Sequence, residues 1–229
     1  MRRFYKEAIA APVAGGVALL LDNRPVKTPG RNGLEVPTEE LAEAIAAEWA
    51  AQGETIDARS MPLTGLANAA IDRVAPDRAT FAAGLARYGE GDLLCYRAEG
   101  PRPLVERQAA AWDPLLAWAR RRYDVEFVVT AGIMHRPQPA ATVQRLAAAV
   151  AARDAFRLAA LSPLVTVSGS LIVALALAEG EIGLEQAWTA STVDEAWQAE
   201  QWGEDPLATE ALANRRRDFE AGYRFLTLL

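Results

Sequence analysis

Near its C-terminal end the chain reads Asp194-Glu195-Ala196-Trp197-Gln198-Ala199-Glu200-Gln201-Trp202-Gly203-Glu204-Asp205, with five carboxylates and two of the six tryptophans. Apart from Gly203, little before Pro206 interrupts it, so the stretch predicts the end of a helix that begins near Leu184. At about 100° per residue, positions seven and fourteen apart share one face. That lines up Trp188, Glu195 and Trp202, with the carboxylate between two indoles. Trp197 projects from the opposite side, and Asp194, Gln198 and Asp205 form a third row. Two readings follow. One is a two-sided core helix with a solvated acidic stripe. The other is a recognition surface, where tryptophan anchors beside carboxylates suit a partly basic partner.

Outward from this helix, the C-terminal two thirds keep helical periodicity. Phe156 to Val167 and Ser170 to Ala178 are the most apolar segments and are expected at the centre of the helical part. Ala140 to Ala152 is an alanine-rich helix. Leu104 to Tyr123 is a long one with Trp112 and Trp118, and Asp113-Pro114 marks a place for a kink. Arg78 to Tyr88 is helical, and Leu207 to Leu229 forms the last helix, with Arg215-Arg216-Arg217 on its exposed side. Val125 to Thr130 is β-branched and reads as a short strand or extended link. In Tyr88-Gly89-Glu90-Gly91-Asp92-Leu93-Leu94-Cys95-Tyr96-Arg97 glycines alternate with acids. This is either a mobile binding loop with Tyr96 and Arg97 as anchors or a plain helix-to-helix connection.

The N-terminal third has a different grain. Phe4 to Ile9 and Val17 to Leu21 predict a hairpin, and Val26 to Thr28 and Leu34 to Val36 predict two further short strands. Thr38 is placed to cap a helix whose first turn holds Glu39 and Glu40, and Leu41, Ile45 and Trp49 give it an apolar stripe. Pro62 opens a short helix, in which Asn68 and Asp72 are four apart and can bond each other. Pro76-Asp77 is the first strong break. The expectation is an α+β protein, with a β-rich N-terminal domain over residues 1–76 and a larger all-helical domain over 77–229.

Composition excludes several function classes. With 51% hydrophobic and 24% charged residues the chain has the make-up of a globular protein, and its net charge of −6 argues against nucleic acid as a partner. No apolar run reaches the ~18 residues that span a bilayer. Cys95 is the only cysteine, so no internal disulfide is possible, and its apolar neighbours predict an inert buried thiol. His135 is the only histidine, which excludes multi-histidine metal sites. Gly15-Gly16 lacks the Gly-Lys-Ser/Thr of a phosphate loop, and no dinucleotide fingerprint is present. No cofactor, nucleotide or metal is expected. Arg2-Arg3, followed at once by Phe4-Tyr5 and Glu7, is too short and acidic for an intact targeting segment. The chain is therefore expected to be either cytoplasmic or already processed.

A resemblance joins these pieces. Phe4-Tyr5-Lys6, the run Leu21 to Pro29, Leu41 through Glu48-Trp49 to Gln52, Pro62-Leu63-Thr64 and Ala70-Ile71-Asp72 carry it in the N-terminal part. Asp92 to Arg97, Trp112 to Leu116, Ser168-Gly169-Ser170 and Trp197-Gln198 to Trp202-Gly203 carry it further on. In this order the motifs resemble the ATP-twelve type of assembly chaperone for the catalytic head of ATP synthase. The resemblance implies a non-enzymatic, ATP-independent protein that binds the free α subunit, keeps it soluble and yields it to the β subunit. It also implies that an acid before the Trp-Gly pair matters. By position Asp194 and Glu195 are the candidates, Glu195 foremost, and Glu200 and Glu204 stand beside them. The partner-binding set is Asp194, Glu195, Gln198, Trp202 and Glu204, with Tyr96 and Arg97. The competing readings are a small carboxylate-dependent hydrolase using Asp194, Glu195 or Glu204, and a permanent structural subunit of a complex.

Overall fold

A two-residue turn, Ala14-Gly15, joins strand β1 (Ala8–Val13) to strand β2 (Gly16–Leu21), with partners running from Val13↔Gly16 to Ala8↔Leu21. The computed structural model that shows this describes residues 1–203 and 205–229. The first strand therefore lies four residues further on than the sequence pattern implies. Pairing stops at Ala8 because the Asp22 carboxylate takes the amides of Lys6 and Glu7. Tyr5 is buried instead, its hydroxyl donating to the Trp49 carbonyl. Strands β3 (Arg24–Pro25) and β4 (Glu35–Val36) both pair with the other edge of β2, which leaves the outer edge of β1 without a partner strand among the described residues. Where β4 crosses β2 only glycine fits: a Cβ on Gly16 would lie 2.3 Å from the Val36 carbonyl oxygen.

Helix α1 (Glu39–Ala50) starts at Thr38, whose hydroxyl accepts from the Leu41 amide. Its Leu41, Ala42, Ile45 and Ala46 are buried with Leu19, Leu34, Val36 and Leu63. The Glu48 carboxylate caps helix α2 (Pro62–Ala69) from outside, accepting from the Leu63 and Thr64 amides and the Thr64 hydroxyl at 2.8 Å each. After α2 the backbone widens into one five-residue-spaced turn, Ala70–Val74. That extra residue destroys the expected Asn68–Asp72 pair. Asp72 accepts instead from Thr28 Oγ1, Gly30 N and Asn32 Nδ2, and Asn68 Oδ1 has no partner among the described residues. These hydrogen bonds, led by the Thr28 hydroxyl, hold the Asp72 carboxyl below its ordinary value. This unit comprises Met1–Arg78 with two short returns, Asp154–Ala160 and Arg224–Leu229. Within it Phe156 stacks on Phe225 at 6.4 Å.

The second unit, Ala79–Arg153 and Leu161–Tyr223, is nearly all helix. In chain order come α3 (Arg78–Ala86), the short strand β5 (Tyr96–Arg97), α4 (Arg102–Tyr123) and the short strand β6 (Thr130–Ala131). Then follow α5 (Ala140–Ala151), α6 (Ala155–Ser168), α7 (Leu171–Ala178), α8 (Leu184–Ser191), α9 (Val193–Trp202) and α10 (Pro206–Thr227). Of Val125 to Thr130, expected as a short strand or an extended link, residues 125–129 are the link and Thr130 enters the strand Thr130–Ala131, which pairs in parallel with β5. Every residue from Leu171 to Leu177 is buried, so α7 is the central helix, as its composition predicts. Burying the Leu, Ile and Val side chains of one such helix stabilises the unit by roughly 2 kcal/mol per side chain before entropy is counted.

The predicted single helix from Leu184 to Asp205 is broken. Thr192, at φ −126° and ψ 23°, separates α8 from α9. The Ser191 and Thr192 hydroxyls bond back to the carbonyls of Ala187 and Trp188, a habit that bends or ends helices. Gly203, at φ +86°, ends α9. Trp188, Glu195 and Trp202 therefore do not share a row, and Asp205 lies outside the helix that carries Asp194 and Gln198. Trp188 packs on Phe219 at 5.8 Å, while Trp202 is 79% exposed. The α+β class holds: a small sheet near the N-terminus and a larger helical portion after it.

Candidate functional site

A cleft of about 510 Å³ opens in the helical unit. Its floor is Trp112 from α4, a fully buried indole fixed from two sides. Its Nε1 donates to the Ala190 carbonyl at 2.7 Å, and the Arg97 guanidinium stacks over the ring at 5.1 Å. Arg97 is held in turn by the Leu94 carbonyl at 2.9 Å and Asp113 at 2.8 Å. It is thus committed inside the chain and positions the floor. Tyr96 points elsewhere, its hydroxyl 3.0 Å from His135 Nδ1. Neither Tyr96 nor Arg97 lines the cleft.

One end of the cleft is Leu93 with Ser168 and Gly169. Asp92 builds this end from behind. Completely buried, its carboxylate accepts from the Ser170 hydroxyl at 2.7 Å, the Leu94 amide at 3.1 Å and the Ile172 amide at 3.0 Å. It thereby ties the Leu93–Cys95 turn to the N-terminus of α7, where an acid also suits the helix dipole. Burial nevertheless outweighs these bonds and pushes the Asp92 carboxyl up to about 6. Gly89 is buried too; a Cβ there would lie 3.1 Å from Leu146. Within the glycine-acid stretch Gly89, Asp92, Leu94 and Cys95 are buried core structure, while Glu90 and Gly91 are exposed. Burial, with the Asp92 charge nearby, pushes the Cys95 thiol up to about 12, which keeps it protonated.

The wall of the cleft is the first half of α9. Asp194 Oδ1 accepts from Gln108 Nε2 at 2.7 Å, and Glu195 Oε1 pairs with Arg215 Nη1 at 2.8 Å. Arg215 also donates to the Val167 carbonyl at 2.9 Å, one of the orphan groups at the end of α6. Among the described residues each carboxylate keeps its second oxygen without a partner. Gln198 lies one turn further along, exposed. The cleft therefore combines an apolar floor of Trp112, Leu93 and Val193 with a polar wall that has hydrogen-bonding capacity to spare.

Past the cleft, α9 becomes a surface helix. Arg107 makes a two-pronged bond to Glu200 at 2.7 and 2.8 Å and stacks on Trp197 at 5.1 Å. Trp202 ends the helix in solvent, and Leu207 opens α10 with 77% exposure. Glu204 lies outside the described residues. Of the sequence-derived set, the structure gathers Asp194, Glu195 and Gln198 in one cleft and leaves Trp202 on the surface of the same helix. Arg215 and Gln108 were missed. Arg215 was placed on the exposed side of α10, yet it is half-buried and faces Glu195. Its position four residues before the fully buried Phe219 held the signal, because that spacing puts both on one face. The acids do not converge as a reactive pair, since each is turned to its own partner. Among the described residues no group of three His, Cys, Asp or Glu side chains is placed to hold a metal ion.

A helical unit that presents a half-polar cleft beside an exposed tryptophan has the features of a protein-binding module. Residues 2–120 match the family described as ATP12 chaperone protein, and the chain belongs to that family. A curated relative, protein atp12, mitochondrial, of the fission yeast Schizosaccharomyces pombe, is 28% identical over 214 residues. That alignment covers 88% of this chain and 74% of the relative. The crystal structure of Atp12 from Paracoccus denitrificans superposes with a TM-score of 0.94 at 45% identity, covering 99% of this chain and 97% of that one. An aspartate-to-lysine variant of the same Paracoccus protein matches equally, at 44% identity and a TM-score of 0.94 over 99% and 97% of the two chains. The Atu1473 protein of Agrobacterium tumefaciens gives 0.95 at 41% identity, over 99% of this chain and 85% of that one. No helix among the described residues is long and apolar enough to cross a membrane.

Proposed function

We propose that the protein is an ATP-independent assembly chaperone for the catalytic head of ATP synthase. It binds the free α subunit, keeps it soluble, and gives it up when the β subunit takes its place. Membership of the ATP12 chaperone family supports the assembly role. The observation that carries the choice of surface is the α9 wall, where Asp194, Glu195 and Gln198 stand over an apolar floor. A cleft of this size seats a few side chains only, whereas a standard interface covers roughly 800 Å² per partner. The capture surface accordingly extends from the cleft along α9 to Trp202, with Leu207 beyond it.

The physical requirement is reversible cover of an apolar subunit interface. An aromatic anchor in a charged rim binds tightly enough to prevent aggregation, and mass action by the β subunit then removes it. The spare carboxylate oxygens of Asp194 and Glu195 suit basic side chains on the client. Co-expression with the α subunit followed by size-exclusion chromatography tests this. The expected result is soluble α co-eluting with the chaperone and leaving it when β is added. Aggregation of α despite the chaperone would reject the reading. A complex that persists in the presence of β would make the protein a permanent subunit instead.

A further inference from the structure

We infer that the free edge of β1, with the face of α1 beside it, is a second binding site that takes an extended peptide segment carrying basic side chains. The site lies wholly in the first unit, apart from the cleft. A shallow groove of about 310 Å³ runs between Ala8, Ile9 and Ala10 of the strand and Glu39, Glu43, Ala46, Ala47 and Ala50 of the helix. Three independent features converge there.

The first is the strand edge itself. Among the described residues β1 pairs only with β2, and its register places Val13 opposite Gly16 beside the two-residue turn. In an antiparallel pair the residues alternate between exchanging both bonds with the partner and pointing both groups away. The turn-flanking pair exchanges bonds, so Val13, Ala11 and Ile9 spend theirs on β2. Ala10 and Ala8 turn their N–H and C=O groups outward, and Pro12 turns out a carbonyl and its ring. A strand laid alongside, about 4.8 Å away, meets two full sets of unused main-chain groups. Pro12 limits the edge to a short docking strip and stops it from pairing indefinitely.

The second feature is room. Alanines at positions 46, 47 and 50 keep the helix face low beside the strand, and an added strand can place alternate side chains over them. From Glu39 to Ala50 the helix rises about 16 Å, the length of about five extended residues. The third is charge. Glu39 and Glu43 are exposed, four apart on one helix face, and neither makes an ion pair among the described residues. Arg3 and Tyr5 bond to the carbonyls of Ala50 and Trp49, so the strand starts at the helix C-terminus. The two carboxylates therefore sit toward the Pro12 end. An occupant with a Lys or Arg at that end satisfies charge and hydrogen bonds together.

For a chaperone the natural source is an exposed strand of its client. Only that identity rests on the proposed function; the groove itself does not. The test uses an acetylated, amidated heptapeptide, Thr-Val-Thr-Val-Lys-Val-Lys, added to the isotope-labelled chain and followed by amide chemical shifts and slowed exchange at Ala8 and Ala10. The expected result is protection of those two amides, roughly tenfold weaker binding with Glu39→Lys plus Glu43→Lys, and little change with Glu195→Gln. Ala10→Pro removes one outward N–H while sparing the β1–β2 bonds, as Pro12 already does, and should abolish binding. Ala47→Trp fills the groove without altering a strand residue and should do the same, which keeps the test alive if the proline variant unfolds. Absence of binding, equal binding by Ala47→Trp, or equal binding of a Glu-for-Lys peptide would overturn the inference. So would dimerisation of the chain through β1 without peptide, which sedimentation would reveal. Loss of α-subunit capture with peptide binding intact would reject only the proposed client.

Discussion

Asp92, buried behind one end of the cleft, and the pair Asp194–Glu195, on its wall, use their charge in opposite ways. Asp92 is completely buried, takes three hydrogen bonds from fixed donors and has its carboxyl pushed up to about 6. Asp194 and Glu195 are half-buried, and among the described residues each is bound to a single side chain and has an oxygen left over. The first arrangement leaves no capacity for a ligand and fixes the shape of the cleft. The second tolerates solvent and can exchange an internal partner for an external one. Proximity to a cleft thus does not by itself make an acid available to a ligand; unspent acceptor capacity does.

The contrast breaks most visibly at Asp92. Asp92→Ala strands the Ser170 hydroxyl and two buried amides, at a cost of about 3–5 kcal/mol, and urea unfolding should show it as a large drop in midpoint. A loss below about 1 kcal/mol would mean that the buried carboxylate does not hold α7 to the Leu93 turn. The pH dependence comes next. The folded-state carboxyl at about 6 lies above the ordinary 3.8, so between these values the folded chain keeps a proton that the unfolded chain releases. Asp92 therefore favours the fold most at the acid end of that window, and its contribution falls as pH rises through 6, by up to about 3 kcal/mol. Asp154, Asp72 and Glu179, all held low, act the other way below about pH 4. Asp92→Asn should flatten the decline between pH 4 and 6.5 measured by thermal midpoints; an unchanged slope would assign it elsewhere.

Binding effects are smaller and leave the fold alone. Trp202→Ala removes an exposed indole, so stability should shift by less than about 0.5 kcal/mol while α-subunit affinity falls roughly thirtyfold in a titration. Equal affinity would confine capture to the cleft. Glu195→Gln breaks the half-exposed pair with Arg215, costing about 0.5–1 kcal/mol of stability, and should weaken capture about fivefold. Full affinity in that variant would assign Glu195 to structure, beside Asp92. Glutamine is the sharper probe than lysine, which would set a second cation against Arg215.

What the sequence revealed and concealed follows the range of the forces. The Thr38 cap, the Pro62 start and the all-apolar α7 are local signals, and the structure bears them out. The break at Thr192 depends on hydroxyls turning back to carbonyls inside the core, which periodicity does not encode. Asp72 takes donors some 40 residues away in place of its neighbour Asn68, and Asp92 takes Ser170 at a separation of 78. Such pairings are visible only once the chain has folded. The acid-rich stretch pointed to α9, but not to its cleft partners Gln108 and Arg215, which lie 86 and 20 residues from the acids they meet.

The most direct measurement of the central claim is site-specific photocrosslinking in the complex with the α subunit. A photoreactive residue replaces Gln198, exposed in the cleft, and separately Arg217, exposed on α10. The account predicts an α-subunit adduct from position 198 and little from position 217. An adduct from 217 with none from 198 would place the client on another surface and contradict it.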